Sequence, residues 1–222
     1  MVTALVAARN EEDRVAATVA ALRSVPEVTE VVVVDDGSRD GTAGAARLAG
    51  ARVLRSSRHR GKGGALRSAL IALPTPDVWL LADADLGVTA AGVRPALTCV
   101  LEGRADLAVG SLPPQPGGGF GLVKRAAARA IRALSGFAAE EPLSGQRAVT
   151  SEGMRVCGPL AAGFGVETAM TIDAVRAGLR VLEVPIEVRH RPTGRTLSGF
   201  LHRGRQGLDI ARAVAARAVG RR

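Results

Sequence analysis

The first half of the chain alternates short apolar runs with segments whose apolar residues recur at helical spacing. Runs at residues 2–8, 28–34 and 77–82 are rich in Val, Leu and Ala, without the strict polar–apolar alternation of a half-exposed strand. Continuous runs of this kind are typical of strands buried on both faces of a parallel sheet. The alternation of strand and helix therefore predicts an α/β fold built on a doubly wound, mainly parallel sheet.

Turn residues, helix-capping residues and breaks in periodicity set the predicted boundaries. Asn10 is expected to cap the first helix, and Pro185 to interrupt the last strand. Strands are predicted at 2–8, 28–34, 51–54, 77–82, 106–111 and 181–189, and helices at 10–25, 42–49, 61–73, 89–103, 124–134, 151–157, 166–177 and 200–219.

The pattern changes after residue 111, where a Pro/Gly-rich stretch interrupts the alternation. No linker is long enough to separate independent domains, so we expect a single domain spanning 1–222. Within it we expect a nucleotide-binding half at 1–111, an acceptor-binding half at 112–198 and a basic C-terminal helix at 199–222.

Composition limits the class of protein. The chain has 222 residues, of which 47% are hydrophobic and only 2% aromatic, so the core must consist mainly of Ala, Val and Leu. No apolar tract reaches the roughly 18 residues of a membrane-spanning helix, and the first residues do not resemble a signal peptide. A cytoplasmic protein is expected. Cys99 and Cys157 lie far apart and lack zinc-site spacing, which predicts reduced, partly buried thiols.

The net charge is +9 and the sequence pI is about 11.2. Such a balance favours polyanions, namely nucleic acid, anionic membrane or phosphorylated substrates. A proteome that is generally rich in arginine explains the same charge, so charge alone does not decide between these partners. The basic residues are concentrated from Arg189 onward.

Carboxylates follow two of the predicted strands. Asp35 and Asp36 end one run, and Asp83 and Asp85 form a D-x-D at the end of another. In open α/β sheets, ligands bind at the carboxyl ends of the strands. Hard oxygen ligands suit Mg²⁺ or Mn²⁺, so the pattern predicts a divalent cation together with a nucleotide.

Two further positions are candidates for chemistry. Gly61 and Lys62 open a predicted helix, where N–H groups and a lysine can hold phosphate oxygens, although Gly63 departs from a P-loop. Glu167 lies at another helix start. It is a candidate general base or orienting group, and equally a helix-terminal Glu favoured by the helix dipole.

A basic loop follows the last predicted strand. Arg189, Arg191 and Arg195 suit phosphate oxygens, but a solvated basic loop has the same composition. His190 lies among them, as a candidate metal ligand or as an ordinary surface or hydrogen-bonded histidine.

Four motifs occur in the first half of the chain: A-A-R-N-E-E at 7–12, V-D-D-G-S-R-D-G-T at 34–42, G-K-G-G-A at 61–65 and D-A-D at 83–85. In this order they resemble the family-two glycosyltransferases with the GT-A fold. Two further segments, 183–186 with 191–196, are similar to the acceptor-phosphate segment of the dolichyl- and polyprenyl-phosphate sugar synthases. Residues 144–147 are similar to the acceptor-side G-F-R segment of that group.

The resemblance implies a metal-dependent, inverting transferase that uses a UDP- or GDP-linked sugar. It assigns a role to each matching position. On the donor side, the nucleotide pocket would be lined by Ala7, Arg9, Asn10 and Glu11, the nucleotide base would be met by Asp35 or Asp36, and the base or diphosphate would lie near Gly61 and Lys62. The ribose or the metal would be faced by Asp83 and Ala84, and the metal would be bound by Asp85. On the acceptor side, Glu167 would be the general base for a hydroxyl acceptor, and the acceptor would be bound by Arg147, Arg191, Arg195 and Thr196.

The chain departs from the family pattern in three places. Residues 7–11 lack the Pro and the aromatic residue of P-A-Y-N-E, and Glu141 stands where an aspartate is common. Gly87 stands where relatives often have a glutamine that completes the metal shell. His190 would substitute by folding over the site.

Three functions are therefore compared. The first is hexose transfer to a phosphate-bearing acceptor, for which the resemblance favours polyprenyl phosphate. The alternative to it is a soluble transferase that acts on a small phosphorylated or hydroxyl acceptor such as phosphoglycerate. In the lipid case, the basic C-terminal helix would rest on an anionic membrane as a peripheral contact. The second is a basic binding module, for which nucleic acid is disfavoured because aromatic platforms are lacking. The third is a non-catalytic GT-A scaffold.

Overall fold

The computed structural model describes the backbone of residues 1–112, 121–190 and 197–219, and their side chains except at 197–206. Seven strands form one sheet in the order β3-β2-β1-β4-β6-β5-β7. Only β6 runs antiparallel to its neighbours, β4 and β5. The strands are β1 (Val2–Ala8), β2 (Glu30–Asp35), β3 (Arg52–Arg55), β4 (Val78–Asp83), β5 (Leu107–Ser111), β6 (Arg147–Thr150) and β7 (Val181–Pro185).

Helices cover both faces of the sheet, which confirms the predicted doubly wound α/β architecture. Two short 3₁₀ helices, Gly87–Val93 and Gly163–Gly165, precede α4 and α7 respectively. The α-helices are α1 (Val15–Arg23), α2 (Thr42–Leu48), α3 (Lys62–Ala72), α4 (Arg94–Leu101), α5 (Leu122–Ser135), α6 (Ser151–Val156), α7 (Val166–Arg176) and α8 (Leu197–Val219).

The core has two apolar layers because successive residues of a strand point to opposite faces. Leu80 of β4 belongs to the layer packed against α1 and α4, whereas Leu81 belongs to the layer packed against α3 and α7. Cys99 and Cys157 are both free and buried. Among the described helices, none is long and apolar enough to cross a bilayer.

Three local predictions are wrong. Asn10 does not cap α1. It has a φ of 56°, a conformation that Asn tolerates better than most residues, and α1 begins only at Val15. The helix expected from Thr89 starts as a 3₁₀ helix at Gly87. The strand expected at 181–189 ends at Pro185. Strand β6 was not predicted, because its four residues include an arginine and carry little apolar periodicity.

The sheet joins the predicted halves of the chain. Strand β6 comes from the second half, yet it lies between β4 and β5 from the first half. The division at residues 111 and 198 stays a prediction. The interleaving brings residues that precede β6 to the carboxyl end of β4, where the D-x-D lies.

Candidate functional site

The site lies at the carboxyl edge of the sheet, where β4 ends in Asp83 beside Ala7 of β1. Helix α3 begins here at Lys62, because Gly61 adopts a φ of 74° that turns the chain into the helix. Helix α7 begins nearby and carries Glu167 in its first turn. One edge therefore gathers groups from three separate elements.

Lys62 joins two carboxylates. Its Nζ lies 2.5 Å from Asp83 Oδ1 and 2.8 Å from Glu167 Oε1. Burial lowers the pKa of Lys62, but the charges of Asp83 and Glu167 outweigh it, and the net pKa is raised. Burial raises the pKa of the Asp83 carboxyl, but Lys62, His190 and two hydrogen bonds together lower it to about 2. Lys62 and Asp83 are therefore both charged at neutral pH.

Gln146 holds the other oxygen of Asp83. Its Nε2 donates to Asp83 Oδ2 at 2.7 Å, and the residue is fully buried. The preceding Gly145 makes this approach possible, since a Cβ there would lie 2.6 and 2.7 Å from the two Asp83 carboxylate oxygens. Residue-level reasoning missed both roles; the only signal was the resemblance of 144–147 to an acceptor-side segment.

Gly145→Ala is expected to disrupt the site, because its new methyl group would displace the Asp83 carboxylate or Lys62 Nζ. We expect donor binding to weaken by at least about tenfold, the usual effect of disturbing groups that orient metal ligands. Titration calorimetry with the donor measures this. Gly44→Ala is the matched control, since nothing lies within 4 Å of its Cβ position. Equal donor affinity in both variants would contradict the assigned role of Gly145.

Asp85 and His190 complete a cluster with Asp83. One ligand atom from each of the three residues lies within 4.8 Å of the others. His190 Nδ1 is 3.2 Å from Asp85 Oδ1 and 4.0 Å from Asp83 Oδ2. The backbone N–H of Arg189 donates to Thr89 Oγ1 at 3.0 Å, which fixes the chain just before His190. Two carboxylates and an imidazole are a donor set that a divalent cation such as Mn²⁺ accepts.

The His190 ring responds to its acidic surroundings. Burial lowers its pKa, but the hydrogen bond with Asp85 and the charges of Asp83 and Asp85 outweigh that effect, so the net pKa is raised. The ring therefore lies where positive charge is favoured. His190 lies over the acidic cluster, as the resemblance implied, and its bond with Asp85 also fits the alternative of a hydrogen-bonded histidine. Its role as a metal ligand stays a prediction.

Asp35 and Asp36 hold the surrounding loops. Asp35 is fully buried; its Oδ1 accepts the N–H of Ser38 at 2.8 Å, and its Oδ2 lies 3.2 Å from Arg55 Nε. Asp36 accepts the N–H groups of Arg60 and Gly61 at 2.7 and 2.8 Å. Both carboxylates are thus engaged by the protein itself. Contact of either with a nucleotide base stays a prediction.

The nucleotide-side residues from 7 to 11 form the rim beside β2. Ala7 is half-buried, whereas Arg9 and Asn10 are exposed. The side chain of Asn10 accepts the N–H of Arg39 at 2.9 Å, and the N–H of Glu11 donates to Thr42 Oγ1 at 2.9 Å. These bonds tie the rim to the loop that follows β2. Ala84 is buried within the D-x-D, and its carbonyl accepts the Thr18 hydroxyl at 2.8 Å.

Arg147 is not at the surface, contrary to its expected contact with the acceptor. It is 1% exposed, and its Nε and Nη1 donate to Ser144 O at 2.8 Å and Thr171 Oγ1 at 3.0 Å. Burial lowers the pKa of its guanidinium. Arg147 therefore braces the turn that carries Gln146. The other predicted acceptor residues, Arg191, Arg195 and Thr196, lie outside the described residues.

Sequence comparison identifies relatives of one kind. Residues 3–157 match Glycosyl transferase family 2. The chain is 31% identical over 172 residues to glycosyltransferase AglJ of Haloferax volcanii, covering 74% of this chain and 55% of that protein. It is also 30% identical over 205 residues to an uncharacterized glycosyltransferase of Mycobacterium tuberculosis, covering 90% of this chain and 91% of that one.

Solved structures share the whole architecture. Glucosyl-3-phosphoglycerate synthase from Mycobacterium tuberculosis, in complex with phosphoglyceric acid, superposes with a TM-score of 0.82 at 28% identity, covering 98% of this chain and 79% of that one. The same enzyme with Mn²⁺, uridine-diphosphate and phosphoglyceric acid superposes with a TM-score of 0.79 at 27% identity, covering 98% and 78%.

Proposed function

Because this chain belongs to glycosyl transferase family 2, we propose that it transfers a hexose from a nucleotide-diphosphate sugar to a small phosphate-bearing acceptor such as phosphoglycerate. One observation carries the proposal: Asp83, Asp85 and His190 converge at the carboxyl edge of the sheet. The likeness to a glucosyl-3-phosphoglycerate synthase across 98% of the chain supports the choice of acceptor.

The cluster fits the divalent cation that the family pattern implies. Asp83, Asp85 and His190 would hold Mg²⁺ or Mn²⁺. Such an ion would offset the negative charge that develops on the departing nucleoside diphosphate. We assign the nucleotide to residues 7–11 and to the start of α3 at Gly61, which border this cluster.

Lys62 and Glu167 have a positioning role in this proposal. Glu167 is buried, Lys62 and Asp83 are partly buried, and Lys62 lies between the two carboxylates. Lys62 therefore fixes the direction of the Asp83 carboxylate, while Glu167 holds the ammonium group in place. The ion pair accounts for Glu167 better than a role as general base, because its carboxylate is only 5% exposed and already engaged.

The acceptor has a cavity of its own at the same edge of the sheet. A space of about 730 Å³ opens at the ends of β5 and β7, next to Ser111 and Pro185. Strand β5 is two positions from β4, a separation of about 10 Å, so the cavity adjoins the donor side. Glu140 and Glu187 line it and suit the hydroxyl groups of an acceptor. We assign the acceptor's phosphate to the Arg191 and Arg195 loop.

A second acceptor, polyprenyl phosphate, is favoured by one surface feature. Arg125, Arg129 and Arg132 are exposed on a single face of α5, at helical spacing. Within the described part of the chain, none of them forms an ion pair with a carboxylate. Basic residues near an anionic membrane contribute about 1 kcal/mol each, so this stripe would hold the enzyme beside a lipid-linked acceptor.

A transfer assay separates the acceptors. The protein is incubated with UDP-glucose or GDP-mannose and Mn²⁺, with either 3-phosphoglycerate or polyprenyl phosphate in detergent, and products are identified by mass spectrometry. We expect a metal-dependent hexose adduct of phosphoglycerate, which a chelator abolishes. A product on polyprenyl phosphate alone would favour the second acceptor. Donor binding without transfer to either would contradict the proposal and favour a non-catalytic scaffold.

A further inference from the structure

A basic cavity lies beside α3 and is lined by residues other than those of the Asp83 cluster. Its volume is about 530 Å³, within the range of small-molecule pockets. Three arginines surround it, and none of the described residues that line it is acidic. The lining residues are Arg58, Arg60, Gly64, Arg67, Ser68 and Ile71.

Glycine at position 64 makes room for Arg60 beside Arg67. A Cβ on Gly64 would lie 2.7 Å from the Cβ of Arg60, which is too close, and 4.0 Å from Nη2 of Arg67, which is an ordinary contact. The absence of a side chain therefore allows Arg60 to lie against the helix, next to Arg67. Arg67 is also anchored, since its Nη1 donates to the carbonyl of Leu160 at 2.9 Å.

The backbone of the loop that carries the other arginines is fixed. The N–H of Arg60 donates to the buried Asp36 carboxylate at 2.7 Å. The backbone at Arg58 packs against Gly37, whose Cβ position is 3.1 Å from the Arg58 carbonyl carbon. The cavity is thus bounded by a helix and by a loop whose backbone is already fixed. Binding of a ligand would therefore not have to order the loop.

The positive charge of this cavity is not compensated within the described part of the chain, where none of its three arginines forms an ion pair with a carboxylate. Other exposed arginines do form ion pairs with carboxylates. Arg94 pairs with Glu27 at 2.7 Å, and Arg155 pairs with Glu152. The pocket therefore retains guanidinium groups that an external anion can engage.

We propose that this pocket binds the phosphate group of a small phosphorylated molecule, at a site separate from the sugar-transfer centre. Guanidinium groups donate pairs of parallel hydrogen bonds to phosphate oxygens. An open concave cavity of this size suits a small molecule better than the flat contact of a polymer. The site does not depend on the proposed transferase activity, because it is formed by groups outside the Asp83 cluster.

The test is calorimetric titration of inorganic pyrophosphate into the full chain in metal-free buffer. Without a cation, the carboxylates of Asp83, Asp85 and Glu167 disfavour an anion at the transfer centre. We expect a saturable isotherm, weakened at least about tenfold by the double variant Arg58→Gln/Arg60→Gln, because charge-assisted hydrogen bonds are lost. Arg67→Gln, a variant at a different part of the cavity, is expected to weaken binding as well.

The matched control is Arg94→Gln/Arg155→Gln, which removes the same charge at paired positions far along the chain. It is expected to bind pyrophosphate like the original protein. Equal weakening in both double variants would indicate non-specific attraction and overturn the proposal. An isotherm that does not saturate in the original protein would overturn it as well. Circular dichroism verifies that each variant is folded.

Discussion

Asp85→Asn is expected to lower the rate of hexose transfer by at least about 100-fold while leaving the protein folded. The substitution keeps the size of the side chain but removes the negative charge beside His190, 3.2 Å from its Nδ1. Loss of one group that stabilises transition-state charge typically costs about 10²–10³ in rate. Initial rates at saturating donor, with Mn²⁺ varied, measure both the rate and the apparent metal affinity.

The control for this prediction is Glu152→Gln. It makes the same carboxylate-to-amide change at an exposed ion pair, where the side chains are 63% and 73% exposed. Its transfer rate is expected to match that of the original protein. The assignment of Asp85 to the metal cluster is wrong if Asp85→Asn retains more than about half of the activity at every metal concentration.

Lys62→Met is expected to destabilise the protein as well as inactivate it. Removing the ammonium group leaves the buried carboxylate of Glu167 without its counter-charge, whereas the partly exposed Asp83 keeps its contacts with Gln146 and His190. Breaking a buried ion pair costs about 3–5 kcal/mol in the free energy of unfolding, and the exposure of Asp83 favours the lower end of that range. For a chain of this size the midpoint of thermal unfolding should fall by roughly 10 °C. Denaturant unfolding followed by circular dichroism gives the free energy directly.

The only other lysine in the chain provides a matched control. Lys124 is 47% exposed and pairs with Glu141 at 2.7 Å, so Lys124→Met should cost less than about 1 kcal/mol. A second variant tests the mechanism of the loss. Lys62→Met/Glu167→Gln removes one of the two stranded charges, and it should recover part of the stability without restoring transfer. Similar losses in the two lysine variants would refute the buried bridge.

The two substitutions have different signatures, which makes them informative together. Asp85→Asn should change activity and metal dependence with little change in unfolding. Lys62→Met should change both activity and stability, since the Lys62 ammonium both orients the Asp83 carboxylate and forms ion pairs that stabilise the fold. If instead both variants kept their activity, the carboxyl edge of the sheet would not be the transfer centre.

Local sequence patterns were sufficient for the architecture of the first half. Uninterrupted runs such as 28–34 require burial on both faces, and only a sheet covered by helices on both sides supplies it. The polar residues that follow each run then fall at the carboxyl edge. For that reason Asp35, Asp36, Asp83 and Asp85 could be predicted to share one edge of the sheet, whereas Lys62 was assigned to the same site only through the resemblance to the family.

The boundaries of elements were less predictable where local and tertiary preferences compete. Asn is a residue type common at helix N-caps, yet the side chain and backbone of Asn10 form hydrogen bonds with Arg39 and Ser38 in the loop after β2 instead. Strand β6 can be recognised only in the folded structure. Its four residues have weak strand propensity, and pairing with β4 and β5 holds them in the extended conformation.

The sequence by itself determined the fold class, the family and the acidic end of β4, because each depends on residues close together in the chain. Only the tertiary structure decided which distant groups meet there. His190 reaches Asp85 across 105 positions, and Gln146 reaches Asp83 across 63. Such contacts depend on strand order and register, which are set by the packing of the whole sheet. The same packing buried Arg147 and turned an expected acceptor ligand into a support for the site.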